Sequence, residues 1–228
     1  MTRHSFSFGP HYDPANLGFG PLVCHNDDLL DPSAAEVAGG VAGGVAGGLG
    51  GGVAGYPEHP HTELEIVTWV LEGALVHTDT SGARHVVEAG RAQVLSAGTG
   101  VRHSEVADAR SGRCRFVQAW LTPSAAGGVP SYVVGEAPPA SSGLVEVAGG
   151  DGLPIGTTGA RLLVARIEAG RTVALPDDPR QHVFAASGAV SLGHTDLRAG
   201  DAVRLTDEPG HVVTAVEPTE LLVWSFAA

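Results

Sequence analysis

The chain contains no lysine. All 13 basic residues of the 228 are arginine, and 25 Asp and Glu set the net charge at −12. Without lysine there is no Schiff base to pyridoxal phosphate or to a carbonyl substrate. A Walker A loop, whose lysine reaches a bound phosphate, is excluded as well. Duplex nucleic acid needs clustered positive charge, and this acidic balance speaks against direct contact with it. Cysteine is scarce too. Cys24 and Cys114 form neither a CxxC pair nor a disulfide framework. No apolar run approaches the ~20 residues of a membrane helix. The first ten residues carry no signal-peptide core. A cytoplasmic location without membrane contact is the expectation.

Glycine, by contrast, is abundant, with 33 residues. Val37-Ala38-Gly39-Gly40 repeats in tandem, and ten of the glycines fall within 39–55. Glycine at that density loses too much entropy on ordering to hold a helix or strand. The tract reads as a flexible loop inserted at 37–55. From residue 64 the pattern is strand and hairpin. The run 64–71 is apolar and β-branched, Glu72-Gly73 turns, and 74–78 returns to Asp79-Thr80-Ser81-Gly82, a strong turn. No long stretch has helical spacing. The second half repeats this grammar: a Gly turn opens a strand at Gly73 and Gly188, and an Ala-Gly turn opens another at Gly90 and Gly200. Two similar β-domains follow, with a boundary near 138–143.

Histidine carries the chemistry. Eight of the 11 lie in the first 103 residues. In a strand, residues i and i+2 share a face. His59 and His61 can therefore converge, and so can His103 and Glu105. Facing one another inside a barrel, they supply three imidazoles and one carboxylate, a set suited to a divalent first-row metal with open positions. A closed structural zinc site would favour thiolates.

His59-Pro60-His61 with Glu65 and Gly73 resembles the first cupin motif, and Gly90, Gly98, Gly100 and His103 resemble the second. More specifically the chain resembles the pirin family. Arg3-His4-Ser5-Phe6-Ser7-Phe8-Gly9, His11-Tyr12-Asp13-Pro14, Asn26-Asp27-Asp28, His77-Thr78-Asp79-Thr80-Ser81-Gly82, Ala97-Gly98-Thr99-Gly100-Val101, His103-Ser104-Glu105 and Gln118 with Trp120 carry the resemblance. It implies an all-β fold of two tandem cupin barrels, a bicupin. Residues 1–137 would form a metal-binding domain and 138–228 a degenerate one without metal, since His182, His194 and His211 are scattered. The implied ligands are His59, His61, His103 and Glu105. Glu65, a ligand in generic cupins, is kept as an outer candidate. The implied metal is one divalent ion, Fe(II) foremost, with Zn, Ni, Mn, Co or Cu as alternatives.

Pirin-like bicupins are associated with quercetin 2,3-dioxygenase activity, so a small aromatic substrate and O2 are implied. Glu105 would then be the catalytic proton acceptor, and Val67, Trp69 and Val94 would hold the flat ring. The alternative is a non-catalytic, redox-sensitive regulator with a protein partner. A monomer is expected. Gln118 is a candidate pocket donor, and Trp120 is assigned to the core. His77 reads as a hydrogen-bonded strand histidine. His4 and His11 read as structural. Cys114, between Arg113 and Arg115, has a setting that would favour a thiolate, but a passive free thiol is the expectation.

Overall fold

Short apolar-polar alternations broken by glycines at positive φ leave the chain little choice but hairpins. The computed structural model describes residues 1–6, 13–35, 47–48, 54–138 and 143–227. Residues 7–12 with His11, most of the Gly-rich tract and the boundary residues 139–142 lie outside the described residues. The second half of the tract departs from the expected loop: Gly47 pairs with Gly55 and Gly48 with Ala54. The chain forms two compact units, Met1–Gly18 with Leu22–Ala137, and Phe19–Pro21 with Pro138–Ala228.

The first unit contains strands β1 (Thr2–His4), β2 (Leu22–Leu30), β3 (Gly47–Gly48), β4 (Ala54–His61), β5 (Glu65–Glu72), β6 (Ala74–Asp79), β7 (Arg84–Glu88), β8 (Ala92–Ser96), β9 (Val101–Ala107), β10 (Cys114–Leu121) and β11 (Ser131–Val134), with one helical turn, α1 (Pro32–Ala35). One sheet runs β1-β2-β10-β5-β8-β11, and the other runs β3-β4-β9-β6-β7. Leu30, Val70 and Phe116 of the first sheet pack with Ala54, Leu75, Val87 and Ala107 of the second, closing one end of the sandwich. Fully burying such side chains contributes about 1.5–3 kcal/mol each.

The second unit contains β12 (Val145–Ala148), β13 (Ala160–Ile167), β14 (Thr172–Ala174), β15 (Arg180–Ser187), β16 (Ala189–Leu192), β17 (Thr195–Arg198), β18 (Ala202–Thr206), β19 (Val212–Ala215) and β20 (Thr219–Phe226). Its sheets run β12-β13-β20-β15-β18 and β14-β19-β16-β17. Leu163, Val183, Leu221 and Val223 of one meet Val173, Val190, Leu192 and Val213 of the other. Both units are cupin sandwiches, and the fold is an all-β bicupin. No helix among the described residues is long and apolar enough to cross a membrane.

The turn between β5 and β6 shows how tightly glycine is specified. Gly73 has φ 72°, and a Cβ there would sit 2.0 Å from the Arg113 carbonyl oxygen. Gly73→Ala is expected to destabilise the fold by more than the roughly 1–2 kcal/mol of a left-handed L-residue. Gly82, with φ 96° and open space around it, is the control. Urea unfolding should show a clearly larger loss for Gly73→Ala than for Gly82→Ala.

Candidate metal centre

The site lies where polar rows on the two inner faces of the first unit meet. On the sheet holding β5, register aligns Gln118 with Thr68 and Thr68 with Gln93. These three polar side chains cross three adjacent strands on one face. On the opposing sheet, Tyr56, Glu105 and His77 align across β4, β9 and β6. His59, His103 and Asp79 form the next row. Parity in β9 is regular: Val101, His103, Glu105 and Ala107 are buried, while Arg102 is exposed. In β4 it is not. The pairing shifts between Tyr56 and His59, so three residues on β4 span two on β9. That bulge lets both Tyr56 and His59 align with inward-facing partners.

The imidazoles gather closely. Ring centroids are 4.8 Å apart for His59 and His61, 4.5 Å for His59 and His103, and 5.0 Å for His61 and His103. Their candidate ligand atoms lie within 4.8 Å of one another. Glu105 belongs to a second such cluster, with His77 and His103. No cluster among the described residues holds all four predicted ligands within that distance, and His103 is the shared member. Glu65 is in neither cluster; its carboxylate accepts a hydrogen bond from Ser96 Oγ at 2.6 Å.

Burial and neighbouring imidazoles hold His61 down to about 4 and His103 to about 3. Both rings are therefore neutral near pH 7 and present lone pairs. Their Nε2 atoms are buried without a hydrogen-bond partner. The Nδ1 of His59 lies 2.8 Å from the Pro57 carbonyl oxygen. A carbonyl only accepts, so that nitrogen carries the proton and Nε2 is left as the ligand atom. Glu105 is 1 % exposed and faces no arginine in an ion pair among the described residues. Its Oε1 accepts from Gln93 Nε2 at 2.6 Å and its Oε2 from Gln118 Nε2 at 2.8 Å. Orphaned imidazole nitrogens beside a buried carboxylate fit a divalent cation.

Both glutamines are oriented from behind. The indole N–H of Trp120 donates to Gln118 Oε1 at 2.9 Å, and the Tyr132 hydroxyl donates to Gln93 Oε1 at 2.6 Å. Gln118 is thus the donor the sequence suggested. Trp120 is more than core: it is half-buried, and its ring meets the His61 ring at 5.0 Å. His77 is a buried strand histidine, bonded to Asp79 at 2.9 Å and stacked on Tyr132 at 3.9 Å. Tyr132 and Gln93 escaped the sequence reading. A glutamine inside the apolar run Ala92-Gln93-Val94-Leu95 was the available signal; Tyr132, on a short strand remote in sequence, gave none.

One expectation is corrected. Val67, Trp69 and Val94 do not face the site, because Thr68 and Gln93 do, and strand neighbours point to opposite faces. The interior row beside the polar one is instead Trp120, Ile66, Leu95 and Tyr132, aligned across four strands. Cys114 is a passive, buried thiol, as expected. Burial pushes its thiol up to about 12, while Arg113 and Arg115 bond Glu72 and Asp27 instead.

A pH dependence follows for the metal-free protein. His61 and His103 titrate lower folded than unfolded, so the unfolded chain takes up protons first as pH falls below about 6.5. Their contribution to stability is present above that pH and is lost towards 4 and then 3. Burial raises Asp28 to about 6, which has the opposite sign: its contribution is present below 3.8 and lost as pH rises through about 6. Two histidines outweigh one carboxyl. The melting temperature of chelator-treated protein should fall steadily between pH 6.5 and 4.5; a flat profile would contradict this balance.

A sandwich of this kind, with a histidine cluster on its inner face that could hold a metal ion, defines the class as a cupin. Comparison with known proteins narrows the class. Residues 1–121 match the family described as Pirin, and residues 148–224 match the Quercetinase C-terminal cupin domain. A Mycobacterium tuberculosis protein named "Putative quercetin 2,3-dioxygenase" is 41% identical over 100% of this chain and 88% of its own length. A "Pirin-like protein" of Caulobacter vibrioides is 35% identical over 97% of this chain and 90% of its own. The crystal structure of the bacterial pirin YhhW of Escherichia coli in complex with nickel(II) superposes with a TM-score of 0.80 at 28% identity, covering 99% of this chain and 90% of that one. The chain belongs to the pirin family.

Proposed function

We propose that the protein is a metal-dependent dioxygenase acting on a small, flat, hydroxylated aromatic of the flavonol type. The observation that carries this reading is the pair of buried, partnerless Nε2 atoms of His61 and His103, converging with His59 beside a buried carboxylate. His59, His61, His103 and Glu105 would hold one divalent ion, with Fe(II) the first to test and Ni(II) supported by the nickel(II) complex of the E. coli pirin YhhW. Residues 1–137 would carry the metal, and 138–228 would serve without one. A cytoplasmic location is part of the proposal.

When bound, the metal would polarise a substrate hydroxyl and support electron transfer to O2. Glu105 would accept the hydroxyl proton. Gln93 and Gln118 orient its carboxylate, because each oxygen accepts one amide N–H. Trp120, Ile66 and Leu95, one register step from the polar row, would provide an apolar shelf for the ring. Names carried by the relatives support this assignment.

The test begins with metal analysis of native protein. Anaerobic loading with Fe(II), Ni(II), Mn(II) or Cu(II), then quercetin and air, should give metal-dependent loss of the flavonol chromophore and release of carbon monoxide. No turnover with any metal, in protein shown to be loaded, would remove the flavonol reading.

A further inference from the structure

Behind His103 runs a line of hydrogen-bonding groups that the ligand set does not use. His77 Nε2 lies 2.9 Å from Asp79 Oδ2, and His77 Nδ1 lies 3.5 Å from His103 Nδ1. His77 and His103 are 0% and 1% exposed, and Asp79 is 8% exposed, so water does not compete for these contacts. A carboxylate oxygen can only accept, so His77 Nε2 carries a proton. In the neutral ring, His77 Nδ1 is then an acceptor. The atom facing it, His103 Nδ1, must donate. One tautomer of His103 remains, with the proton on Nδ1 and the lone pair on Nε2. That Nε2 is buried and has no hydrogen-bond partner among the described residues.

Asp79 itself is fixed. Its Oδ1 accepts from Ser81 N at 2.8 Å, from Ser81 Oγ at 2.5 Å and from Ala83 N at 3.3 Å. The turn that ends β6 therefore holds the carboxylate with Oδ2 turned to His77. Tyr132 holds the other member, since its ring stacks on His77 at 3.9 Å and 10°.

We propose that Asp79 and His77 are positioning residues that lock His103 in its Nδ1–H tautomer and so aim its Nε2 lone pair into the metal site. The proposal rests on the metal reading above only for its purpose; the tautomer is a property of the metal-free protein. Outer partners of this kind fix the tautomer and orientation of a ligating histidine.

The decisive variant is Asp79→Asn. Three donors converge at the Oδ1 position, so the amide oxygen of the asparagine stays there and its NH2 faces His77 Nε2. That NH2 donates. His77 then carries its proton on Nδ1, His103 Nδ1 must accept, and the His103 proton moves to Nε2, where it occupies the ligand lone pair. The change is isosteric, yet it reverses every hydrogen bond in the line. His77→Phe is the second variant: it keeps a ring against Tyr132 and removes both nitrogens.

Nitrogen-15 NMR of histidine-labelled, metal-free protein reads the tautomers directly. Wild type should show His103 as Nδ1–H, Asp79→Asn as Nε2–H, and His77→Phe as an averaged pair. Ni(II) affinity, by competition with a chromogenic chelator, should fall by about 10–100-fold in Asp79→Asn. Wild-type His103 found as Nε2–H would overturn the proposal. So would an Asp79→Asn protein with the wild-type tautomer and Ni(II) affinity. If Asp79→Asn fails to fold, the wild-type and His77→Phe spectra still decide. Tautomers as stated, in protein that takes up no Ni(II), would support the positioning line and remove the metal reading instead.

Discussion

Substituting His103 by alanine is expected to abolish stoichiometric metal binding. His103 belongs to both ligand clusters, so its loss dismantles the triad with His59 and His61 and also the cluster with His77 and Glu105. Losing an outer partner typically costs 10–100-fold in affinity. Losing the shared ligand should cost more than ~100-fold, enough to leave the protein empty after dialysis. The fold should survive. His103 lies beside an end of the sandwich whose apolar packing is carried elsewhere, by Leu30, Val70, Leu75 and Phe116. The truncation also removes a buried group whose Nε2 has no protein partner. Elemental analysis of wild type and variant, with thermal melts of both chelator-treated forms, checks the expectation. Equal metal content would place the ion elsewhere. A collapse in stability matching the metal loss would make His103 structural.

How much of this was legible in the sequence depends on the range of the physics involved. Alternation is local, so the pairing of His103 with Glu105 on one face follows from a period of two, and β9 obeys it. Turn chemistry is local too: Gly73 and Gly82 end strands where the sequence says they should. The conclusion that His59 and His61 join His103 needs a register between strands some 40 residues apart. Only the family resemblance supplied it, and a bulge before His59 sets it. The choice between Glu65 and Glu105 was open on parity alone. The fold places Glu65 against Ser96, outside both histidine clusters.

The misread residues share one cause. Val67, Trp69 and Val94 are apolar residues of inner strands, and composition alone assigns them to the interior. Which of a strand's two faces looks at the site is decided by a single polar residue in each strand, Thr68 or Gln93, and by the partner that residue meets. Cys114 shows the same limit of sequence neighbours as a guide. Its arginine neighbours in sequence point away from it along the strand, and both are claimed by acids. Tyr132 lies on the edge strand β11 and reaches the site only through the pairing of β11 with β8. Long-range pairing of this kind leaves no mark in a single sequence.

Glu105→Gln is expected to be nearly as damaging as loss of a ligand, although it changes one atom. Each oxygen of Glu105 now accepts an amide N–H, from Gln93 and from Gln118. Neither donor turns round without giving up a partner. Trp120 offers only an N–H, which fixes the oxygen of Gln118 towards it, and reversing Gln93 would take the acceptor from the Tyr132 hydroxyl proton and leave Thr68 Oγ1 with Gln118 as its remaining donor. A glutamine at 105 would therefore bring its own NH2 against a fixed N–H donor in a site 1 % exposed. A buried donor without an acceptor costs about 1–3 kcal/mol. The variant also deletes the negative charge that balances the cation, so metal affinity should fall together with stability. Gln118→Glu in the Glu105→Gln background tests the account. It returns a carboxylate to the site as an acceptor for the new NH2 and should recover part of the stability. It should not recover activity, because the proton acceptor now sits on β10. Equal melting temperatures for wild type and Glu105→Gln would show that the two glutamines do not hold the carboxylate as the geometry requires. Full activity in Glu105→Gln would remove Glu105 from the reaction.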